Sequence, residues 1–339
     1  MRVVMHLLRS AWQAIRHLRT GSAQHRFGIF PPSPPRPPTK VYFSRRQSQE
    51  TSPWGSPSTR QWLFIGVTFA GGVVYYVVHI DRAPLTQRRR MIDISADQEA
   101  AIGKANFQMV LTQYHGRILP ATSATSRYVE RIGKRIAASA EAISPPGVHY
   151  QWEFVVIDAP EPNAFCLPGG KVAVFTGILP ILVDENSVAA VLAHEIAHAV
   201  ARHGAEKLAF AKILLLLQIV INQFIDTRLL TNLLMQLLLT LPFSRRMESE
   251  ADYIGLHLMA AACFDPQAMA PMFERMKALR EKLMRGHRSP PSYLSTHPAD
   301  EDRVAAIIRW LPEVLPEYEA KCLPSGREWR RTLRSLSPF

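Results

Sequence analysis

Two histidines and a glutamate fall within five residues, His194-Glu195-Ile196-Ala197-His198, inside a run of small and apolar residues that suits a buried helix. Residues four apart share a helix face. The two imidazoles can therefore present nitrogens to one zinc ion at about 2.0 to 2.1 Å, while Glu195, rotated about 100° around the axis, reaches a water at the ion. The plain alternative is a pair of ordinary helix histidines. A catalytic zinc needs a third protein ligand and a position left open for water. Glu248 is the best candidate. It lies in the segment Ser244-Arg-Arg-Met-Glu-Ser-Glu-Ala-Asp252, which begins a helix and sets Glu248 and Asp252 on one face. Asp252 can then orient a ligand histidine, since metal-bound imidazole donates its other N–H to a carboxylate. Glu250 points elsewhere and is expected to be solvated. A third histidine six residues after His198 is not available: Gly204 holds that place, Ala201 replaces the glycine such a scheme requires, and His203 is one residue out of register.

The elements that must position these groups are mostly helical. Helices are predicted over 96–112, 124–142, 185–202, 246–261, 266–285 and 300–310, with a Leu-rich stretch over 206–241. Strands are predicted over 152–157 and 171–176, where aromatic and β-branched residues gather on either side of the Asn163-to-Gly170 loop. The fold class is therefore α+β, helix-dominated, with a small β-sheet. Leu208 to Phe243 is unusually apolar, but Lys212, Asp226 and Arg228 divide it into pieces too short to span a bilayer, so it reads as a buried helical pair or a membrane-lying segment.

Charge separates the body from its leader. The chain carries 40 Lys and Arg against 28 Asp and Glu, a formal net charge of +12. Ten of the basic residues and one acid, Glu50, lie in the first 60 positions, so most of the excess sits where no domain is legible. That argues against a folded nucleic-acid-binding face. On a helix, Arg2, Arg9 and Arg16 share one face and Met5, Leu8, Trp12, Ile15 and Leu18 the other, as in a mitochondrial presequence; a basic tail without structure is the alternative. Six of the eight residues from Pro31 to Pro38 are proline, which reads as a linker. From Gln61 to Ile80 the chain runs without a charge, with Trp62, Tyr75 and Tyr76 near its ends, and a single transmembrane helix is predicted over 61–80. Basic residues flank it on both sides, Arg45, Arg46 and Arg60 before and Arg82, Arg88, Arg89 and Arg90 after, so charge asymmetry does not set its orientation. Three cysteines exclude a disulfide framework; Cys166 reads as filler, and Cys263 and Cys322 as free core thiols, with pairing as the alternative.

Taken together, the HExxH helix, the downstream Glu248-x-x-x-Asp252, the Asn163-Ala-Phe loop running to Pro168-Gly169-Gly170, and His297-Pro298 with Arg303 resemble the zinc endopeptidase family that includes HtpX and the CAAX-prenyl protease. The likeness spans roughly 96–310, and the single span, the presequence and the phrase from His194 to His203 most resemble its mitochondrial inner-membrane branch. The resemblance implies a gluzincin-like domain over 96–312, one zinc ion on His194, His198 and Glu248, Glu195 as the catalytic base, and a protease domain facing the intermembrane space. Residues 1–60 would be presequence and linker, and 313–339 a C-terminal tail.

On this reading Glu195 takes a proton from the attacking water and later delivers it to the leaving amine. His297 is an expected oxyanion partner, with helix capping as the equal alternative. The Asn163 to Val174 segment, similar to the family's edge strand, could hold a substrate peptide by strand addition, or be a plain hairpin. The function expected is quality-control cleavage of membrane or misfolded proteins at the inner membrane. Its partners would be protein substrates and membrane lipid, with self-association left open. A zinc-stabilised scaffold without turnover and a prenyl-peptide protease are the rivals.

Overall fold

Helix boundaries in the computed structural model follow local chemistry closely, and the structure describes residues 59–222, 245–285, 292–297 and 301–323. The leader and Pro-rich linker, the Leu-rich stretch beyond residue 222, Pro298 and the residues after 323 lie outside that set. The described residues belong to the unit Pro57–Phe339.

Helix α1 (Thr59–Val78) is followed by an antiparallel hairpin of β1 (Ile80–Arg82) and β2 (Arg89–Met91). Helix α2 (Ala96–Gln113) opens on a capping box: Ser95 accepts the Gln98 N–H, and the Gln98 side chain accepts the Ser95 N–H. In α3 (Ala124–Glu141), Val129, Ile132, Ile136 and Ala140 make one buried stripe. Strands β3 (Glu153–Ile157), β4 (Ala164–Leu167) and β5 (Lys171–Phe175) form a three-stranded sheet in the order β3-β5-β4. The two predicted strands thus pair in parallel. The loop expected between them instead supplies β4, antiparallel to β5, after a turn whose Gly169 and Gly170 both adopt φ near +80°, at 77° and 86°.

Helix α4 (Glu185–Val200) is buried on nearly every side, as an all-round apolar helix must be. It is packed by α3, the β4 edge of the sheet and α6 (Arg245–Ala261). Helix α5 (His203–Asn222) follows after a two-residue break, and α7 (Met269–Arg285), the short α8 (Ser292–Thr296) and α9 (Glu301–Cys322) close the core. Helices α4 and α6 pack closely at Gly255, where an added Cβ would stand 3.1 Å from the end of Met269 and 3.4 Å from the backbone of both Ala193 and His194.

Two expectations are revised. The predicted span does fold as α1, with Leu63, Val67, Phe69 and Val78 each more than 60% exposed. Yet among the described residues no helix is long and apolar enough to cross a membrane. Cys263 and Cys322, expected as free thiols, form a disulfide with Cα atoms 5.3 Å apart. It ties the end of α9 to the end of α6, a pairing between distant segments that no local pattern encodes.

These contacts yield two predictions. The bridge spans 59 residues, and chain-entropy arguments assign such a loop about 4 kcal/mol; Cys322→Ser should lower stability by about 2 to 4 kcal/mol, read as a urea midpoint shift that reductant reproduces in the wild type. Asp184 caps α4 by accepting the Ser187 N–H at 2.7 Å, and hydrogen bonding from Ser187 holds its carboxyl below the usual value. A depressed native pKa gives stability that is present above the unfolded carboxylate value and is lost as pH falls through the native one. Asp184→Asn keeps the cap and removes the charge, so it should cost a few tenths of a kcal/mol at pH 7, the low end for an exposed helix-terminal charge, and progressively less as pH falls below the ordinary carboxylate value.

Candidate metal centre

The centre lies where α4 crosses α6. One turn of α4 separates His194 from His198, and their Nε2 atoms stand 3.2 Å apart. Glu248, in the first turn of α6, brings Oε2 to 3.4 Å from His194 Nε2 and Oε1 to 3.5 Å from His198 Nε2. Two ligands about 2.05 Å from a tetrahedral zinc stand about 3.3 Å from each other, so each of these separations is of the length a shared ion requires, with one Glu248 oxygen turned to each histidine. His297 joins them: its Nδ1 lies 2.9 Å from Glu248 Oε2 and 3.2 Å from His194 Nε2. One atom from each of the four residues falls within a 4.8 Å group that can hold a metal ion. Imidazole nitrogens and a carboxylate oxygen suit a zinc ion, and no thiol competes.

Electrostatics keeps the donors poised for a cation. Burial disfavours charge on Glu248, but His198, His194 and His297 hold its carboxyl far below the usual range. Burial likewise opposes the charge on Asp252, but Arg303 and then His194 lower its pKa. Arg303 donates two bonds to Asp252, at 2.8 and 2.7 Å, approaches Glu248 Oε2 at 3.3 Å, and stacks over the Phe273 ring at 4.3 Å. Asp252 in turn brings Oδ1 to 2.9 Å from His194 Nδ1. Burial pushes the His194 imidazole down, but Asp252 and Glu248 outweigh it and raise it to about 9. His198 is driven well below its ordinary value, by burial first, despite Glu248 beside it.

Glu195 is only 3% exposed, and its Oε1 is buried with no hydrogen-bond partner. A carboxylate oxygen in that condition is costly unless a small polar molecule meets it. The nearest imidazole nitrogen beside it, His297 Nε2, is 3.7 Å away. Cys166 also lines this region, but burial and then the Glu195 charge push its thiol up, so it offers no thiolate nucleophile.

The structure brings together all six residues singled out from the sequence: His194, Glu195, His198, Glu248, Asp252 and His297. It corrects one reading: Glu250, expected in solvent, is 5% exposed and binds Arg88, Thr86 and His203. His203, out of register for a third ligand, stays outside the metal-holding group but sets its Nδ1 2.8 Å from His198 Nδ1, a role the sequence reading did not assign. Arg88 and Thr86 lie more than 100 residues before the motif and gave no sign in the sequence. His203 did offer one: a buried histidine beginning a helix five residues after a candidate ligand.

Similarity to known proteins agrees with this geometry. Residues 123–311 match the model of peptidase family M48. Mitochondrial metalloendopeptidase OMA1 of Schizosaccharomyces pombe is 44% identical over 260 residues, 76% of this chain and 74% of that protein. The protein of the same name from Saccharomyces cerevisiae is 37% identical over 276 residues, 79% of each chain. The beta-barrel assembly-enhancing protease of Escherichia coli is 29% identical over 196 residues, 53% of this chain and 37% of that one. Since the matched region holds His194, Glu195, His198, Glu248, Asp252, His297 and Arg303 together, the chain belongs to peptidase family M48 and is a metalloprotease.

Proposed function

We propose that the protein is a zinc-dependent endopeptidase of the mitochondrial inner membrane that cleaves membrane or misfolded proteins in quality control. The observation that carries the catalytic part is the unpartnered, buried oxygen of Glu195 beside a donor set spaced to share one ion. His194, His198 and Glu248 are the zinc ligands, all on long helices with buried backbones. Bound zinc supplies Lewis-acid polarisation of the scissile carbonyl and lowers the pKa of water at the site. Glu195 accepts the proton of the attacking water at its free oxygen and returns it to the leaving amine, so no acyl-enzyme forms. Asp252, held by Arg303, fixes the ring of His194.

His297 directly follows a five-residue helix and lies outside the α4–α6 pair. A catalytic ion needs an open position, so His297 is assigned to the substrate side, where its ring donates to the oxyanion that develops on the carbonyl. Strand β4 is hydrogen-bonded to β5 along one edge and packs by α4, which suits its other edge to receive an extended peptide. Placement at the inner membrane rests on the mitochondrial names of the most similar relatives, on the leader composition, and on the exposed apolar side chains of α1, proposed as the anchor. The domain proposed to cut faces the intermembrane space.

Glu195→Gln should bind zinc as the wild type does while peptide cleavage falls by about a hundredfold or more, the scale for loss of a general base. Equal zinc content with no turnover in the wild type would favour the scaffold rival instead. His297→Ala should keep its zinc and lose about ten- to a hundredfold in kcat with little change in KM, in line with an oxyanion donor; loss of zinc to the extent seen in His194→Ala would make it a ligand, and full turnover would remove it from the mechanism.

A further inference from the structure

The ligand histidines are not held alike. His194 is met at Nδ1 by the Asp252 carboxylate, whereas His198 Nδ1 faces another imidazole, His203 Nδ1, at 2.8 Å. If Nε2 of His198 is turned to the ion, Nδ1 carries its only N–H, and His203 must accept it with a lone pair. The proton of His203 then resides on Nε2, which lies 3.1 Å from Glu250 Oε2. One tautomeric arrangement satisfies all three groups. Glu250 is fixed in turn by Arg88, whose Nε and Nη2 donate to Oε2 at 2.8 and 2.6 Å, and by the Thr86 hydroxyl on Oε1. The other face of the Arg88 guanidinium pairs with both oxygens of Glu206 at 2.8 and 2.7 Å.

Local backbone geometry shows how His203 reaches this place. On an unbroken helix it would sit about 140° around the axis from His198, away from the site. Instead α4 ends at Val200, Arg202 adopts φ 51°, and α5 restarts at His203 with its ring turned back. Arg202 is held in that left-handed conformation by bonds to Glu99 at 2.6 Å and to the Ile94 carbonyl at 2.9 Å. The hairpin is equally specific. Leu85 and Gln87, at φ 57° and 55°, flank Thr86 in a turn that aims Thr86 and Arg88 at Glu250, and Arg90 from β2 donates to the Ala201 carbonyl at the end of α4.

We infer that His203 is a positioning residue for the zinc ligand His198, completed by Glu250 and by Arg88 of the β1–β2 hairpin. The inference rests on the zinc reading of the site above. It extends the machinery to a hairpin next to α1 and outside the region that matches the family. The arrangement gives each ligand histidine a carboxylate: Asp252 directly for His194, Glu250 through an intervening ring for His198.

The test uses the full chain purified in detergent, with zinc affinity read by competition against a chromophoric chelator and with the visible spectrum of the Co2+-loaded protein. His203→Phe removes the acceptor, and about a ten- to a hundredfold loss of zinc affinity with an altered Co2+ spectrum is expected, the usual effect of removing a ligand's outer partner. His203→Asn, whose amide oxygen can take the place of Nδ1, should recover part of that affinity, which a merely space-filling role would not predict. Arg88→Met should weaken zinc binding in the same direction and less. Should His203→Phe fail to fold, Glu250→Gln and the Asn variant carry the comparison. Wild-type zinc affinity in the folded His203 and Glu250 variants overturns the inference alone, whereas a wild-type protein that takes up no zinc overturns the metal reading and this inference with it.

Discussion

Two carboxylates, Glu248 and Asp252, are buried one turn apart on α6 with a single guanidinium, Arg303, reaching both. Charge balance in that volume is the constraint from which the rest of the centre follows. One positive charge offsets one of these two negatives, and the buried Glu195 beside them adds a third. The remainder must be met by protons on the imidazoles or by a cation, because an uncompensated charge in a dry interior costs several kcal/mol. The same volume holds His194, His198 and His297, whose ring nitrogens face the Glu248 oxygens at 2.9 to 3.5 Å. A divalent ion there satisfies lone pairs that would otherwise point at each other. Arg303 is thus as much a part of the centre as the ligands, since it fixes which carboxylate is free to serve the ion and which is committed to His194.

Packing makes that geometry possible. Helix α4 is lined with alanine around the motif, and α6 places Gly255 at its point of closest approach to Ala193 and His194. Small residues let two backbones come close enough for a carboxylate on one helix to meet imidazoles on the other. A side chain added at Gly255 would first press on the end of Met269, 3.1 Å away, with the α4 backbone already in contact at 3.4 Å, so the metal distances and the core packing are linked. The donors sit on elements buried at their backbones, and stiffness of this kind favours precise ligand placement.

What was legible in the sequence was local. His194 and His198 could be placed on a common face because a four-residue interval has only one meaning on a helix, and the same argument paired Glu248 with Asp252. The helix starts expected at 96, 124 and 185 coincide with the observed ones, each capped by the residue before it, Ser95, Ser123 and Asp184. Illegible features depend on breaks or on distant contacts. Reaching His203 requires the left-handed residue at Arg202, a conformation that arginine does not announce. Burial of Glu250 requires a hairpin more than 160 residues earlier in the chain. The parallel pairing of β3 with β5 has no turn between them to reveal it, and the Cys263–Cys322 bridge joins helix ends whose proximity is tertiary. The membrane span was read from a charge-free run, which marks a helix, α1, whose side chains are largely exposed, but a run of this kind does not say what covers that surface.

The central claim is that a buried nitrogen and oxygen set, free of sulfur, holds one zinc ion between α4 and α6. X-ray absorption at the zinc edge of the purified full chain tests this directly. The account predicts a first shell of about four or five light atoms, with imidazole scattering, at about 2.0 to 2.1 Å, and loss of that pattern in Glu248→Ala. A sulfur shell near about 2.3 Å, or zinc bound with the same spectrum when Glu248 is gone, would contradict it.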